Sequence, residues 1–311
     1  MTKEELLALV AKGEAIRQTD LSGMDLSGLD LKGAKFETVS FEKSNLSRAD
    51  LSRVSFKKVF LGEANLSGAR LVSSEMNYVD LSGANLTGAD LTRAELFELA
   101  AVAADFSGAV LEMTDLEGAS LTDSRFQGAT LKHADLSRCK LSGLDFSNCL
   151  LTDAILSQVE ALRTIFSGAD LTRTDFTEAN LEGAKLDGAG ARAADFKRAI
   201  FRFASARRAD FSWSCFEKAD LRGSDFSHSD FSRCLMSGVL SQSTKFHSVK
   251  LDMSDLSHAD LRDADMTDSS LTQARLHRAI EQGTIWKGTN RDQALGLDPE
   301  LAAAEDWQPK Y

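Results

Sequence analysis

Twenty-nine aspartates, four cysteines and five histidines are the side chains of this 311-residue sequence with the means for acid–base, nucleophilic or metal chemistry. Paired carboxylates serve general acid–base catalysis, a thiol beside an imidazole makes a nucleophile, and three or four converging ligands hold zinc. Their spacing points elsewhere. Twenty of the aspartates, Asp20, Asp25, Asp30 and Asp50 among them, recur at one position of a five-residue pattern, where a carboxylate can hydrogen-bond the backbone of a turn. Cys139, Cys149 and Cys234 stand where the pattern otherwise has Ala and read as reduced packing residues; Cys215 lies outside that position, and no Cys-x-x-Cys spacing occurs. His133, His228, His247, His258 and His277 fall one or two places after the large apolar residue of the pattern and are expected to point outward. His228 and His247, or His258 and His277, could be neighbours, but two imidazoles fall short of a zinc site. Asn45-Leu-Ser47, Asn65-Leu-Ser67 and Asn85-Leu-Thr87 are formal glycosylation sequons that the pattern generates by itself. With no phosphate-binding Gly loop, nucleophile elbow or HExxH motif either, the sequence is expected to contain no catalytic, cofactor-binding or metal-binding residues.

What positions all of these side chains is the repeat itself, seen in Ala84-Asn85-Leu86-Thr87-Gly88, Ala89-Asp90-Leu91-Thr92-Arg93 and Ala134-Asp135-Leu136-Ser137-Arg138. Every fifth residue from Leu21 to Leu276 gives 52 central positions, and 47 of them hold Leu, Phe or Met; Ala101, Ala161, Ala191, Ala206 and Ser241 are the exceptions. Fifteen of the 18 Phe residues are central, so the aromatic content is mostly core. Two residues before each centre the sequence prefers a small side chain, as at Ala34, Ala49, Ala64, Cys139, Cys149 and Ser224. A period of five matches neither helix nor strand. The chain must instead turn a corner every five residues, with one large and one small side chain directed inward, and only a stack of such segments can bury them. The two prolines, Pro299 and Pro309, both lie in the last thirteen residues, which leaves the rest as one uninterrupted architecture.

These residues resemble the pentapeptide-repeat family, whose unit reads A-(D/N)-L-x-x, over residues 19–280. The resemblance implies an all-β fold, a right-handed quadrilateral β-helix with four pentapeptides per coil, so that the 52 repeats make about 13 coils. At roughly 4.8 Å between stacked strands the rod would be about 60 Å long. Assigning every fourth repeat to one face stacks Leu31, Leu51, Leu71, Leu91, Leu111, Leu131, Leu151 and Leu171 in one ladder. Phe106, Phe126, Phe146 and Phe166 stack in a second, and Phe176, Phe196 and Phe216 in a third. Equal volumes one coil apart fill equal layers without voids.

Both ends of such a stack need covering. Thr2 and Glu5 have capping-box spacing ahead of Leu6-Leu7-Ala8-Leu9-Val10, so residues 1–18 are expected to form a helical cap ending near Gly13. In the tail, 281–311, Asp298-Pro299-Glu300 reads as an N-cap with Pro at the first helical position before Leu301-Ala302-Ala303-Ala304. This second helical cap is expected to act as a lid, with a homodimer contact or a partner-binding appendage as the other uses.

The composition, 43% hydrophobic and 27% charged, is that of a globular chain, and the net charge of −11 argues against a general nucleic-acid binder, which must neutralise phosphates. Its partners should carry positive charge. No apolar run approaches the roughly 18 residues a membrane helix needs, and the N-terminus is acidic where a signal peptide is basic, so a cytoplasmic location without membrane contact is expected. A filled interior leaves only the surface to act. Candidate partner-binding residues there are Phe60, Tyr78 and Phe97, in nominally outward positions over three successive coils, and Trp213 and Phe203 further along. The coil from Ala191 to Asp210 adds a basic band with Arg202, Arg207 and Arg208 beside Arg192, Lys197 and Arg198. The coil from Leu251 to Ser270 adds an acidic one with Asp260, Asp263, Asp265 and Asp268 beside Asp252 and Asp255.

Among members of the resembled family some bind DNA gyrase as duplex-shaped acidic mimics, and others serve as interaction modules or immunity factors. The foremost expectation is a non-catalytic immunity or antitoxin-type protein that binds and neutralises a cognate toxin, such as a nucleic-acid-acting effector of a contact-dependent secretion system. A gyrase-binding DNA mimic is the first alternative. Against it stand an unbroken register, where quinolone-resistance members interrupt the repeat with projecting loops, and the basic band. A structural adaptor or effector chaperone is the second.

Overall fold

The structure, a computed structural model, describes residues 1–307 and turns the five-residue pattern into a four-sided coil. At most corners the amide three residues after a central residue donates to that residue's carbonyl, as Ala34 does to Leu31 at 3.0 Å and Ala64 to Leu61 at 3.0 Å. The residue two places after the centre takes positive φ, 56° at Arg48 and 57° at Arg53, as the third residue of a type II turn does. A non-glycine side chain in that conformation costs about 1–2 kcal/mol. Burying the neighbouring Leu or Phe contributes about 1.5–3 kcal/mol and outweighs it.

Four corners bring the chain back to the same side after 20 residues. Strands β1 (Ala15–Arg17), β2 (Lys35–Glu37), β3 (Ser55–Lys57) and β4 (Glu75–Asn77) pair in parallel in that order, with Ala15 opposite Lys35, Lys35 opposite Ser55 and Ser55 opposite Glu75. The same offset continues as single parallel bridges from Asp20–Ser40 to Arg275–Leu295. The fold is the right-handed quadrilateral β-helix that the repeat implies.

All eight leucines of the ladder from Leu31 to Leu171 are fully buried. The rings of Phe106, Phe126, Phe146 and Phe166 stack at centroid separations of 5.1, 4.8 and 5.5 Å. The column then changes face: Phe166 meets Phe176 edge-on at 5.6 Å, and Phe176, Phe196 and Phe216 stack onward at 5.1 and 4.7 Å. Most polar side chains at the small inward positions donate to the central carbonyl 23 residues earlier, whereas the buried Ser44 and Ser74 hydroxyls have no partner among the described residues. Thr164 Oγ1 reaches Leu141 O at 2.7 Å, Ser214 Oγ reaches Ala191 O at 2.7 Å, and Cys234 Sγ reaches Phe211 O at 2.9 Å.

Helix α1 (Lys3–Ala11) starts at the capping box, with Glu5 N–H on Thr2 Oγ1 at 3.2 Å and Thr2 N–H on Glu5 Oε2 at 2.8 Å, and buries Leu6 against the first coil. At the other end the bridging continues past 280, through Asp265–Ile285 and Arg275–Leu295, but the central positions now hold Glu281, Trp286 and Arg291. Arg291 donates from Nε and Nη2 to the Glu281 carboxylate at 3.1 and 2.9 Å, and its guanidinium lies 5.6 Å from the Trp286 ring centroid. Beneath this polar closure Leu261, Met266 and Leu271 are fully buried and Leu276 nearly so. A short 3-10 turn, Arg291–Gln293, leads to helix α2 (Pro299–Glu305), N-capped by Asp298. Helix α2 folds back along the flank, where it reaches both His277 and His258. Residues 308–311 of the expected tail lie outside the described residues.

Candidate functional site

The aspartate position behaves as a turn element. Asp20 Oδ1 accepts the amide of Ser22 at 2.9 Å, Asp50 that of Ser52 at 2.9 Å and Asp145 that of Ser147 at 2.8 Å. Hydrogen bonds from the hydroxyl and amide of Ser22 hold the Asp20 carboxyl below its ordinary value, and Ser27 does the same to Asp25, so both stay ionised and neither is poised as a general acid. Asn45 fills the same role, accepting from Ser47 N–H at 3.1 Å and donating to Asp25 at 3.0 Å. Burial pushes the Cys139 thiol up to about 12 and that of Cys149 up to about 11, which keeps both as neutral packing groups.

Of the outward aromatics, Phe60, Tyr78 and Phe97 are about half exposed, and Phe203 is 69% exposed. Tyr78 and Phe97 form an edge-to-face pair with centroids 5.7 Å apart; Phe60 stands on the adjoining face, bridged to Ser40 and Asp80. The expected trio is therefore a pair and a separate residue. Trp213 carries the Arg233 guanidinium 4.6 Å above its ring, and Phe203 lies across Gly223, where a side chain would collide with its ring.

The basic band is neutralised from the neighbouring coils. Arg202 pairs with Glu182 at 2.9 Å and reaches Asp220 at 3.7 Å, Arg207 pairs with Asp187 at 3.4 Å, Arg198 with Glu178 at 3.2 Å and Lys197 with Glu217 at 3.1 Å. Arg208 has no carboxylate within 4.0 Å among the described residues. In the acidic coil Asp260 is 6% exposed and accepts from Gln242 and, at 2.9 and 2.6 Å, from the Arg262 guanidinium, which holds its carboxyl below the ordinary range. Asp265 accepts from Thr267 N–H at 3.0 Å, while Asp263 and Asp268 lie over Gly283 and Gly288 of the next coil.

The histidine pairs are neighbours, His228–His247 at 5.6 Å and His258–His277 at 5.5 Å between ring centroids. The expectation that all five point outward is corrected at His277, which is 3% exposed because α2 covers it. Glu305 of α2 accepts from His258 Nε2 at 3.1 Å and His277 Nε2 at 3.2 Å, and Arg278 Nε stands 2.8 Å from the same carboxylate. The three donor atoms lie within 4.8 Å of one another, close enough to hold a metal ion. Their chemistry favours a hydrogen-bonded anchor instead. His277 Nδ1 accepts the Asp298 amide at 3.1 Å, so the ring proton is assigned to Nε2, whose lone pair a metal would need. Metal-bound histidines direct the opposite nitrogen at an acceptor, and here it faces a donor. Glu305 lies outside the repeat register, so nothing in the five-residue pattern points to it.

Among the described residues no helix is long and apolar enough to cross a membrane. The family profile described as pentapeptide repeats (8 copies) matches segments 16–42, 38–71, 64–98, 102–138, 131–161, 163–189, 191–223, 216–238 and 242–280. No curated protein sequence matches the chain. Among solved structures it is similar to HetL, a pentapeptide repeat protein involved in heterocyst differentiation regulation from the cyanobacterium Nostoc sp. strain PCC 7120. That match has 25% identity, covers 96% of this chain and 98% of that one, and has a TM-score of 0.34. QnrB1, a plasmid-mediated fluoroquinolone resistance protein, matches with 17% identity over 93% of this chain and 96% of its own, TM-score 0.29. Rfr23 from the cyanobacterium Cyanothece 51142 matches with 22% identity over 41% of this chain and 94% of its own, TM-score 0.24.

Proposed function

The chain belongs to the pentapeptide-repeat family, and from that premise we propose that it is a non-catalytic, protein-binding solenoid of the cytoplasm that binds and neutralises a cognate toxin. The partner envisaged is a basic, nucleic-acid-acting effector of a contact-dependent secretion system, drawn by the net charge of −11. One observation carries the reading: the core is packed solid while exposed aromatics, with Tyr78 and Phe97 in mutual contact, stay uncovered on the outside. Recognition through the outer surface is what such a molecule can offer, and half-exposed aromatic pairs supply large contact area at low entropic cost. The experiment is a titration of the purified protein into the activity assay of a candidate effector nuclease, with the complex followed by size-exclusion chromatography. Stoichiometric inhibition with co-elution supports the reading. Full nuclease activity at excess protein counts against it.

A second reading, a gyrase-binding DNA mimic, gains from one specific feature. The Arg and Lys residues of the basic band are largely paired with carboxylates on adjacent coils, so the band interrupts the acidic character of the rod less than its sequence suggests. A DNA supercoiling assay separates the two: inhibition of gyrase with no effect on the nuclease reverses their order.

A further inference from the structure

We propose that the cleft around Arg207, Arg208, His228 and His247 is a binding site for a phosphate monoester, independent of the toxin reading above. The cleft has a volume of about 690 Å³. Two adjacent columns of the solenoid build it, one running Asp187, Arg207, Ser227, His247 and the other Gly188, Arg208, His228. The recess opens at Gly188, where an added Cβ would meet nothing within 4 Å; any larger residue would fill the step beside Arg208.

The groups facing the recess keep donors free. Arg207 engages Asp187 through Nε at 3.4 Å, and its terminal amino groups make no hydrogen bond among the described residues. Arg208 has no carboxylate in reach, and the edge-to-face rings of His228 and His247 have no hydrogen-bond partner among the described residues. The two carboxylates of the cleft are already engaged. Asp187 accepts the Ser205 hydroxyl at 2.7 Å and the Arg207 amide at 2.8 Å, and Asp225 accepts the amide and hydroxyl of Ser227 at 3.0 and 2.6 Å. They fix the backbone and Arg207, and leave two guanidinium groups and two imidazoles to face a ligand.

That donor set matches a compact dianion with three acceptor oxygens better than a single planar carboxylate, because guanidinium forks bind phosphate oxygens in pairs and imidazole N–H groups add further donors beside them. A nucleic-acid backbone would need a continuous basic track, whereas Lys197, Arg198 and Arg202 of this band are tied to Glu217, Glu178 and Glu182.

The test uses the full chain and inorganic phosphate, followed by the ring-proton NMR signals of the five histidines. Saturable shifts confined to His228 and His247 are expected, with a dissociation constant of about 1 mM or tighter. Arg208→Gln should weaken binding about tenfold, as loss of a charge-assisted contact does, with unchanged thermal stability. Phosphoserine and a phosphoserine-containing peptide form the second arm: tighter binding of the peptide assigns the site to a protein-borne phosphate, and equal binding to a free small ester. Histidine signals that do not move with phosphate, or that move equally in Arg208→Gln, would overturn the proposal.

Discussion

His277 donates its Nε2 proton to Glu305 Oε2 at 3.2 Å, joining the last complete coil to a helix 28 residues further along the chain. Helix α2 buries none of its own residues, and Leu301 on it is 45% exposed, so apolar contact does little to hold it. It is attached by polar contacts centred on Glu305, with Arg278 also reaching Ala302 O at 3.1 Å and Asp306 at 2.7 Å.

Glu305→Gln should therefore free α2 and leave the solenoid intact. The measurement is amide exchange over Glu300–Glu305: protection should fall on the order of tenfold, the equivalent of one charge-assisted hydrogen bond, while the core coils are unchanged. The hydrogen bond from His277, aided by that from His258, holds the Glu305 carboxyl below its ordinary value of 4.5. A depressed carboxyl stabilises the attached state fully above its unfolded value and ceases to do so as the pH falls through the folded one. Release of α2 is thus expected on acidification below about pH 4, and not between pH 5 and 7. Unaltered exchange in the variant would show that Glu305 is not the anchor.

Leu131 stands in the middle of the leucine ladder and is fully buried. Leu131→Asp places an unpaired charge between packed layers, costs several kcal/mol and should split the single unfolding transition into two, since each coil contacts only its neighbours. Leu131→Met conserves volume and should cost less than about 1.5 kcal/mol. Chemical denaturation followed by circular dichroism distinguishes them, and equal midpoints would contradict a close-packed interior.

The interior was legible from the sequence because its cause is local: a large residue every fifth place and a turn between admit one way of burying Leu and Phe. The ion pairs, by contrast, follow from the sequence only once the coil length is applied to it. Glu178 and Arg198, Glu182 and Arg202, Asp187 and Arg207, and Lys197 and Glu217 are each 20 residues apart, one coil, so a charge count along the chain shows a basic band where the stacked surface has pairs. The C-terminal end could not be read this way. Glu281 and Arg291 look like failures of the pattern until they are seen to meet, and Glu305 finds the histidines through a loop with no repeat to set its direction.

This pairing changes how the basic band should be probed. Reversing Arg202 or Arg207 sets like charges together, against Glu182 and Asp220 in one case and Asp187 in the other, and is expected to lower stability by about 1 kcal/mol. Arg208→Glu disturbs no pair, so it should leave the melting temperature unchanged while altering association with a partner. A binding rate identical to that of the native chain at low salt would remove Arg208 from the partner surface.

At the aromatic corner, Tyr78→Ala and Phe97→Ala should each weaken partner binding by about 1–2 kcal/mol, roughly tenfold, and the double variant by less than the sum, because the rings support each other at 5.7 Å. Phe60→Ala, on the adjoining face, should be additive with either. Calorimetric titration against the captured partner gives the three coupling energies. Affinities unchanged in every variant would place the interface elsewhere.

The end of the rod provides the last test. Glu281 and Arg291 occupy central positions that elsewhere hold Leu or Phe, and they meet across the coil at 2.9 Å above four buried apolar residues. Glu281→Ala leaves the Arg291 guanidinium without its partner in a half-covered setting, a loss of about 1–3 kcal/mol that falls on the terminal coil alone. Exchange of the Ile280 and Ile285 amides should accelerate while those near Leu131 do not change. The freed apolar end should also promote self-association, since it exposes core side chains together with an unpaired strand edge. Glu281→Leu with Arg291→Leu restores the coil pattern but removes the polar surface, so it should keep the terminal amides protected and associate still more strongly. If both variants stay monomeric at high concentration, the Glu281–Arg291 pair is not what closes the solenoid.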